Sequence, residues 1–293
     1  MIVDNIEIKF IGDNPIAQQP ALDTLARCFD VWAERKRIFK RFPFREFSFI
    51  AQNGNTVCGH QGIIPLETYD YDGTIIRLAG VASVAVLPEY RKSGIASRLC
   101  QAATRWAEEN RFDALPLYTS LIRVYEKNGW QIFPVEMSTL KAPVQSTDDG
   151  NFWKSSDTLT DNEKSFIIRC YKNMPPLPGR IIRLADDYAA NSWHRLFSKD
   201  NLRFHLTDSG YIMALDGVIC EICGTVCAIP PGVDKAFLSI HDPAYQMFID
   251  ANWRPDLPPQ QLPEGWDGEV VMMKIINPEK IPAGICFPLA NKF

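Results

Sequence analysis

The stretch Gly80-Val-Ala-Ser-Val-Ala-Val-Leu-Pro88 leads directly into Glu89-Tyr-Arg-Lys-Ser-Gly-Ile-Ala-Ser97, and these two segments decide the fold of the chain. The first segment is almost entirely apolar, which is typical of a strand buried on both faces. A proline ends it. After Gly94 the apolar residues recur at helical spacing, which predicts a helix that runs to about Asn110. A buried strand, a basic loop and a helix therefore follow one another without interruption.

The loop at the start of this predicted helix is the part of the sequence that indicates chemistry. The first N–H groups of a helix have no intrahelical acceptor and lie at the positive end of the helix dipole. Gly94 and Ala96 leave space for an anion close to the backbone, and Arg91 and Lys92 add positive charge. The pattern predicts a phosphate or pyrophosphate site. The alternative is an ordinary helix start with solvent-facing basic residues, and neither the P-loop pattern nor the dinucleotide fingerprint is present.

The residues on either side predict a mixed α/β fold with antiparallel hairpins first and a crossover helix later. Before the loop, strands are expected over 6–11, 46–52, 56–64 and 74–78, with a helix over 19–37. After it, we expect a strand over 114–119, a short helix over 123–128 and one last strand over 130–140.

The second half of the chain predicts a related but weaker pattern. Residues 146–160 are polar and rich in turn formers, which indicates a linker. Beyond it, helices are expected over 162–173 and 189–197, and strands over 202–206, 211–215, 218–228 and 269–276. The segment Val124-Tyr-Glu-Lys-Asn-Gly-Trp130 aligns with Met247-Phe-Ile-Asp-Ala-Asn-Trp253, although only the tryptophan is identical. A duplicated fold is therefore a hypothesis, and a single larger domain stays open.

Composition limits the class of protein. The chain has 293 residues, of which 46% are apolar and 23% charged, an ordinary globular mixture that excludes a disordered chain. A net charge of −4 gives no electrostatic basis for binding nucleic acid or an anionic membrane. The N-terminal residues lack a signal-peptide pattern, and no apolar run of about 18 residues occurs. We expect a cytoplasmic protein, and a homo-oligomer is left open.

Three of the eight cysteines lie close together in the sequence, at positions 220, 223 and 227. Zinc sites usually pair two such groups of ligands, and the next histidine, His241, has no matching partner. The segment also fits a buried strand in which cysteine fills small apolar positions. We favour the strand and expect no metal, with a structural zinc protein as the alternative.

Three ordered motifs resemble the GNAT superfamily of N-acetyltransferases. Arg91-Lys-Ser-Gly-Ile-Ala96 resembles its Arg/Gln-x-x-Gly-x-Gly/Ala signature. The strand Gly80–Pro88 resembles the Gly-Val-x-x-Val-x-Val-x-Pro strand of the tandem-GNAT, Eis-like acetyltransferases, and Ser120 to Gly129 fits their Ser-x-x-x-x-Tyr-x-x-x-Gly segment. The resemblance covers the first half well and the second half loosely. Those relatives normally carry a further sterol-carrier-like domain, for which 293 residues leave no space.

This resemblance implies a set of acetyl-CoA contacts. Strand residues would offer backbone hydrogen bonds to the pantetheine arm, chiefly Val84 and Val86, with Ala85 between them. The pyrophosphate would be held by the loop and the first helical turn, and Ser120 is also assigned to the cofactor site. The loop and helix residues are Arg91, Lys92, Ser93, Gly94, Ile95, Ala96 and Ser97.

The resemblance also implies the catalytic groups. Tyr125 would protonate the leaving thiolate as general acid, since a phenol with a pKa near 10 is protonated at neutral pH. A plain core aromatic is the alternative. The strand has no carboxylate to act as base, and in Eis-like enzymes the C-terminal carboxylate is proposed for that role, which here belongs to Phe293. His60 and Glu67 are the runner-up bases.

These interpretations combine into one prediction. Residues 1–145 form an acetyl-CoA-binding GNAT domain of mixed sheet and helices, 146–160 a linker, and 161–293 a degenerate GNAT-like α/β domain that shapes the acceptor site. The second half lacks the phosphate-loop signature and has Phe248 and Asn252 in place of tyrosine and glycine. Its aromatic residues Trp193, Tyr211 and Trp253 are acceptor lining or, preferably, core.

The expected activity is acetyl transfer from acetyl-CoA directly to a primary amine of a small molecule, peptide or protein. A catalytically silent acyl-CoA-binding or regulatory protein on the same fold is the alternative.

Overall fold

Two seven-stranded mixed sheets, each flanked by helices, form the molecule in a computed structural model that describes residues 5–29, 47–134, 137–143, 152–185, 192–255 and 269–282. In spatial order, sheet 1 contains β1 (Ile6–Gly12), β2 (Phe47–Asn53), β3 (Thr56–Tyr69), β4 (Ile75–Val86), β5 (Ala114–Thr119), β14 (Val270–Ile275) and β6 (Gln131–Ile132). Sheet 2 contains β8 (Lys154–Ser155), β9 (Leu202–Leu206), β10 (Gly210–Leu215), β11 (Val218–Gly224), β12 (Lys235–Ser239), β7 (Met137–Lys141) and β13 (Arg254–Pro255). The predicted mixed α/β class is confirmed.

The described helices are α1 (Pro15–Cys28), α2 (Ile95–Glu109), α3 (Ile122–Glu126), α4 (Asp161–Lys172), α5 (Trp193–Phe197) and α6 (Tyr245–Asp250). Short 3-10 turns lie at Pro88–Tyr90 and Ser156–Thr158. Sequence signals explain where the longer helices begin. The Asn14 side chain accepts the N–H groups of Ile16 and Ala17, and Thr160 with Glu163 forms a capping box at α4. Such caps each stabilise a helix by about 1 kcal/mol.

The two sheets have the same construction, and each takes one strand from the other half of the chain. In sheet 1 the sixth position, between β5 and β6, is occupied by β14, which comes near the end of the chain. In sheet 2 the equivalent strand is β7, which follows directly after β6 of sheet 1. Two similar halves have therefore exchanged their seventh strands. The duplication that the weak repeat suggested is present in the fold.

This exchange means that the sheets do not follow the predicted division of the chain. Strand β7 lies within 1–145 but belongs to sheet 2, and β14 lies within 161–293 but belongs to sheet 1. The predicted linker 146–160 contributes β8, which pairs with β9 at the edge of sheet 2. Hydrophobic pattern alone could not show this, because it identifies a strand without its neighbours.

One hydrophobic cluster spans both halves. The largest cluster joins sheet 1 residues such as Leu78 and Ala82 to sheet 2 residues such as Phe204 and Met213, with Val271 of β14 among them. Helices α1 and α2 cover opposite faces at the other end of sheet 1. Leu22 and Leu25 of α1 pack on Ala85, whereas the apolar side of α2 packs on a separate cluster with Val84 and Val86.

Several local expectations differ from the structure. The single strand expected over 130–140 is two short strands in different sheets, β6 and β7, because the chain crosses between the sheets there. The strand expected over 218–228 ends at Gly224. The strand β12 was missed, since its five residues lie in an irregular apolar stretch. The helix expected over 19–37 begins at Pro15 and ends at Cys28, and its last predicted residues lie outside the described part of the chain.

Candidate active site

The site is built around a place where two parallel strands separate. Strands β4 and β5 pair only at Leu78 and Ala114. Beyond that pair β4 continues for eight residues to Val86, while β5 turns toward β14. In the described part of the chain no strand pairs with this second half of β4 on the side of β5. The result is a wedge with an open strand edge along it.

Pleating determines which backbone groups face the wedge. The N–H of Leu87 donates to the carbonyl of Cys58 on β3 at 2.9 Å. Because backbone groups of successive residues in an antiparallel strand point in alternate directions, those of Ala85 also face β3. The groups of Val84 and Val86 therefore face the wedge. The Val86 carbonyl accepts a hydrogen bond from Nε of Arg91 at 3.1 Å, which ties the basic loop to the end of the strand.

A bulge precedes these residues. The register between β3 and β4 shifts between His60 and Gly62, so that β4 carries an extra residue there. Ser83 in the bulge has φ of 53°, a left-handed conformation that a residue other than glycine adopts at a cost. Bulges bend a strand and redirect its edge. This bulge lies at the entrance to the open edge of β4.

The basic loop after β4 ends at the amino terminus of α2. Gly94 immediately precedes the helix with φ of 80°, and no side chain caps the helix start. The N–H groups of Ile95, Ala96 and Ser97 therefore point out of the helix without intrahelical acceptors. A Cβ at Gly94 would meet no protein atom within 4 Å, so the space in front of the loop is open. Glycine is needed here for its backbone conformation, and the open space suits an approaching anion.

The loop residues Arg91, Lys92 and Ser93 are exposed. Lys92 also has positive φ, at 64°, and its ammonium group extends into solvent beside the helix start. The Ser93 hydroxyl donates to the carbonyl of Tyr90 and so stabilises the turn itself. Arg91, Lys92 and the helix dipole together make this end of the wedge locally positive although the chain is acidic overall.

Tyr125 lies on the short helix α3, which follows β5 on the other side of the wedge. Its side chain is buried, with 7% of its surface exposed, and its ring meets Trp130 edge-on at 6.1 Å. Burial raises the pKa of the phenol well above its ordinary value, with a smaller contribution from Cys100. Tyr125 is therefore protonated throughout the physiological range. Ser120, at the turn between β5 and α3, is exposed.

Asn128, just after this helix, connects the end of α3 to the first turn of α2. Its side-chain amide donates to Oγ of Ser97 in the first turn of α2 at 3.1 Å and to the carbonyl of Val124 at 2.9 Å. Helices α2 and α3 are thereby held together at the end where the helix N–H groups point outward. Ser97, predicted as a phosphate contact, has this second function.

The second half of the chain reaches the same helix through Lys274 of β14. Its ammonium donates to the backbone carbonyl of Asn128 at 2.9 Å and lies 5.2 Å from the centre of the Trp130 ring. Neither Lys274 nor Asn128 was predicted as a site residue. Asn128 occupies an unspecified position of the Ser120–Gly129 segment, Lys274 lies in no motif, and only the strand exchange brings the two residues together.

The corresponding region of the second half has the same helix geometry without the phosphate loop. Phe248 of α6 contacts Trp253 at 4.9 Å and nearly at right angles, and Asn252 has φ of 63°, like Gly129 with φ of 87°. Between β11 and β12, however, the chain forms no helix equivalent to α2.

A buried ion pair lies on β11 in the second half. Strands β11 and β12 also separate after two pairs of residues. There Glu221 forms a bidentate pair with Arg183, whose guanidinium lies 4.1 Å from the ring of Tyr171 and 4.8 Å from that of Trp193. The Tyr211 hydroxyl donates to the same carboxylate. Trp193, Tyr211 and Trp253 are all buried, which favours the core interpretation for these three aromatics.

The remaining predicted residues are not gathered at the wedge. Phe293 lies outside the described residues, so the general-base role of its carboxylate stays a prediction. Glu67 of β3 lies opposite Arg77 in the register of β3 with β4. Arg77 is at the far end of β4, more than about 20 Å along the strand from Val84. Cys220 and Cys223 lie buried in β11, as the strand interpretation predicted.

Within the described ranges no group of three or more His, Cys, Asp or Glu side chains is placed to hold a metal ion. None of the helices described there is long and apolar enough to cross a membrane.

His60, the other runner-up base, faces α1 and not the wedge. It is completely buried, its Nδ1 lies 2.8 Å from the Ser83 carbonyl, and its Nε2 lies 3.0 Å from Oγ of Ser48. Burial lowers the pKa of the imidazole to about 4 from 6.5, against a smaller opposing effect of the Ser83 carbonyl. The imidazole of His60 is therefore uncharged near neutral pH and is enclosed by the protein.

This lowered pKa predicts that the protein loses stability as pH falls below 6.5. The unfolded chain takes up a proton on His60 near pH 6.5, whereas the folded chain resists protonation down to about pH 4. Between pH 8 and pH 5 this single group should reduce the free energy of unfolding by about 2 kcal/mol. Urea unfolding at pH 8 and pH 5 measures this change in the free energy of unfolding, and the His60→Gln protein is the reference. The same pH dependence in both proteins would contradict the assignment.

Comparisons with known proteins agree with this geometry. Residues 17–133 match the family model of the acetyltransferase (GNAT) domain, a segment that contains the bulge, the basic loop and α3. A search of curated proteins found no match. Residues 17–133 thus match the sequence pattern of a GNAT domain, and the second half repeats the sheet order of the first.

Solved structures share both halves. A GCN5-related N-acetyltransferase from Anabaena variabilis superposes with a TM-score of 0.63 at 19% identity, over 92% of this chain and 73% of that one. One from Kribbella flavida gives 0.60 at 14% identity, over 94% and 72% of the two chains. Eis1 from Mycobacterium abscessus gives 0.60 at 13% identity, over 93% and 73%. At such identities the comparisons show that these proteins share the tandem fold.

Proposed function

We propose that this protein is an acetyl-CoA-dependent N-acetyltransferase of the Eis-like, tandem-GNAT type, which moves an acetyl group directly to a primary amine. One observation carries the proposal. Strand β4 has an open edge beyond Leu78, the basic loop at its end leads to the uncapped start of α2, and Asn128, just after the helix that carries Tyr125, is hydrogen-bonded to Ser97 in the first turn of α2. The match of residues 17–133 to the GNAT domain family supports the same function.

Acetyl-CoA fits the wedge from one end to the other. The pantetheine arm carries amides that can pair with the backbone of Val84 and Val86 as an added strand would. The pyrophosphate suits the outward N–H groups of residues 95–97 and the charges of Arg91 and Lys92. Ala85, between the two valines, packs on α1 and maintains the strand without facing the wedge.

The chemistry that this arrangement supports is direct acyl transfer. A neutral amine would attack the thioester carbonyl, the carbon–sulfur bond would break, and the phenol of Tyr125 would donate its proton to the departing sulfur. The attacking nitrogen must also lose a proton. We assign that step to a base outside the described residues, for which the carboxylate of Phe293 is the candidate. No metal is required by this scheme.

A release assay tests the activity itself. Acetyl-CoA is incubated with the protein and a panel of primary amines, including small polyamines, aromatic amines and lysine peptides, and free thiol is measured. Thiol release that depends on an amine supports the transferase. Tight binding of acetyl-CoA without amine-dependent release would instead support a silent acyl-CoA-binding or regulatory protein.

Substitution of Gly94 tests the phosphate site. Gly94→Glu places a carboxylate at the helix start and strains a left-handed residue, so the Kd for acetyl-CoA should rise by about 30-fold, or about 2 kcal/mol. Gly94→Ala adds no clash and should cost only the backbone strain. Gly54→Glu is the matched control, because Gly54 has φ of 57°, an equally open Cβ position, and lies in the β2–β3 turn. Isothermal titration calorimetry that gives equal affinities for Gly94→Glu and Gly54→Glu would rule out the phosphate site.

A further inference from the structure

A chain of hydrogen bonds runs beneath the bulge of β4, on the side of α1. Gln18 of α1 donates through Nε2 to the Gly12 carbonyl at 2.9 Å and to Oγ of Ser48 at 3.2 Å. Oγ of Ser48 is 3.0 Å from Nε2 of His60, and Nδ1 of His60 is 2.8 Å from the carbonyl of Ser83. All three side chains are completely buried.

The donor and the acceptor of each hydrogen bond in this network follow from the final acceptor, the carbonyl of Ser83. A carbonyl oxygen only accepts, so Nδ1 of His60 must carry the proton. Because the imidazole is neutral, its Nε2 is then an acceptor, and the Ser48 hydroxyl donates to it. The oxygen of Ser48 in turn accepts from the Gln18 amide. The network therefore fixes one tautomer of His60 with its N–H aimed at the bulge.

The carbonyl that receives this N–H belongs to the strained residue of the strand. Ser83 has φ of 53°, and its carbonyl faces α1 although the neighbouring Val84 and Val86 face the wedge. A left-handed non-glycine residue persists only when its surroundings fix it. The hydrogen bond from His60, which lies on the face of the sheet covered by α1, supplies such a constraint.

We propose that His60 is a positioning residue for acetyl-CoA, which fixes the bulge at Ser83 and thereby aims the backbone groups of Val84 and Val86 into the wedge. This inference rests on the proposed function, since it assigns a ligand to that edge. His60 itself touches neither cofactor nor acceptor. Gln18 and Ser48 act through it by selecting its tautomer.

Two substitutions of His60 distinguish the hydrogen bond of Nδ1 from that of Nε2. Asparagine can place its amide N–H near the position of Nδ1 and so keep the bond to Ser83. Glutamine reaches the position of Nε2 and keeps the contact with Ser48 but loses the bond to Ser83. We expect His60→Gln to raise the Kd for acetyl-CoA by about 10-fold, the effect of one lost hydrogen bond in the preorganised edge, and His60→Asn by less than about 3-fold.

The controls distinguish positioning from general damage. Thr24→Val removes a different buried hydrogen bond between α1 and β3, from the Thr24 hydroxyl to the Val57 carbonyl at 2.7 Å, and should leave the affinity unchanged. Adenosine 3′,5′-bisphosphate, which has phosphates but no pantetheine arm, is measured as a competitor of acetyl-CoA. Its affinity should be the same in wild type and His60→Gln. Ser48→Ala should weaken acetyl-CoA about 3-fold, and that loss should disappear when His60 is already glutamine.

Calorimetry and competition on the full chain decide between the outcomes. Equal acetyl-CoA affinity in His60→Gln and wild type overturns the inference. So does an equal loss of affinity for acetyl-CoA and for the bisphosphate, because the damage is then not confined to the strand edge. If wild type binds no acetyl-CoA, the proposed function fails as well, which the first titration shows before any variant is compared.

Discussion

A fragment of residues 1–145 should remain unfolded when it is produced alone, because it lacks a strand from the interior of its own sheet. Strand β14 lies between β5 and β6, and its residues Val271, Met272 and Met273 are buried. Loss of each such side chain costs about 2–5 kcal/mol, so losing three approaches the whole stability of a domain, about 5–15 kcal/mol. Circular dichroism and urea titration should show no cooperative transition.

Fragment 146–293 should behave in the same way, because it lacks β7. Co-expression of the two fragments should restore a folded complex, since all fourteen strands described by the structure are then present. A cooperative transition in fragment 1–145 alone, at the midpoint of the full chain, would contradict the strand exchange.

Point substitutions within β14 give an independent test of the same exchange. Met272 is fully buried in the cluster beneath α2, so Met272→Asp should destabilise the full chain by more than about 4 kcal/mol. Ile275, three residues further along the strand, is 42% exposed, and Ile275→Asp should change stability by less than about 1 kcal/mol. Equal effects of the two substitutions would show that β14 is not inserted in sheet 1.

Removal of the Tyr125 hydroxyl should lower kcat. Tyr125→Phe removes only the hydroxyl, so acetyl-CoA should still bind with a Kd within about 3-fold of wild type, whereas kcat should fall by about 100-fold, as expected for loss of a general acid. The matched control is Tyr71→Phe, since Tyr71 is exposed and its ring contacts His241, away from the wedge. Stopped-flow or steady-state thiol release separates the two parameters.

The raised pKa of Tyr125 gives this prediction a pH signature. An acid is active in its protonated form, and burial keeps the phenol protonated beyond its ordinary pKa near 10. The kcat of wild type should therefore show no decline between pH 7 and pH 9.5 from loss of this proton. If Tyr125→Phe retains full turnover over that range, the general-acid role is wrong and Tyr125 is only a core aromatic.

Local sequence predicted the elements around the candidate phosphate site, because their signals are local. The strand, the proline stop and the helix that begins after Gly94 all follow from residues 80–97, whereas the left-handed conformation of Gly94 was not predicted. The repeat between residues 124–130 and 247–253 was also real, although one identity carried it. The backbone needs positive φ at Gly129 and at Asn252, and both residue types tolerate it.

Long-range contacts could not be predicted in this way. Lys274 has no special neighbours in sequence and reaches Asn128 only because two similar halves exchange strands. His60 was considered as a base from its residue type, yet the side of the strand it occupies places it against α1 and Ser83. The side of the sheet that each residue faces could not be predicted beyond the bulge. One extra residue in a strand moves every following side chain to the opposite face.

The sequence by itself determined that a buried strand ends in a basic, glycine-started helix, because sterics and hydrogen bonding within about twenty residues dictate that conformation. The contact of Lys274 with Asn128 at the candidate site depends instead on tertiary structure. Strand β14 lies between β5 and β6 in sheet 1, and β7 lies between β12 and β13 in sheet 2, so each half supplies an interior strand to the other sheet. Burial of β7 and β14 in those positions is the nonlocal contribution that joins the halves in one hydrophobic cluster.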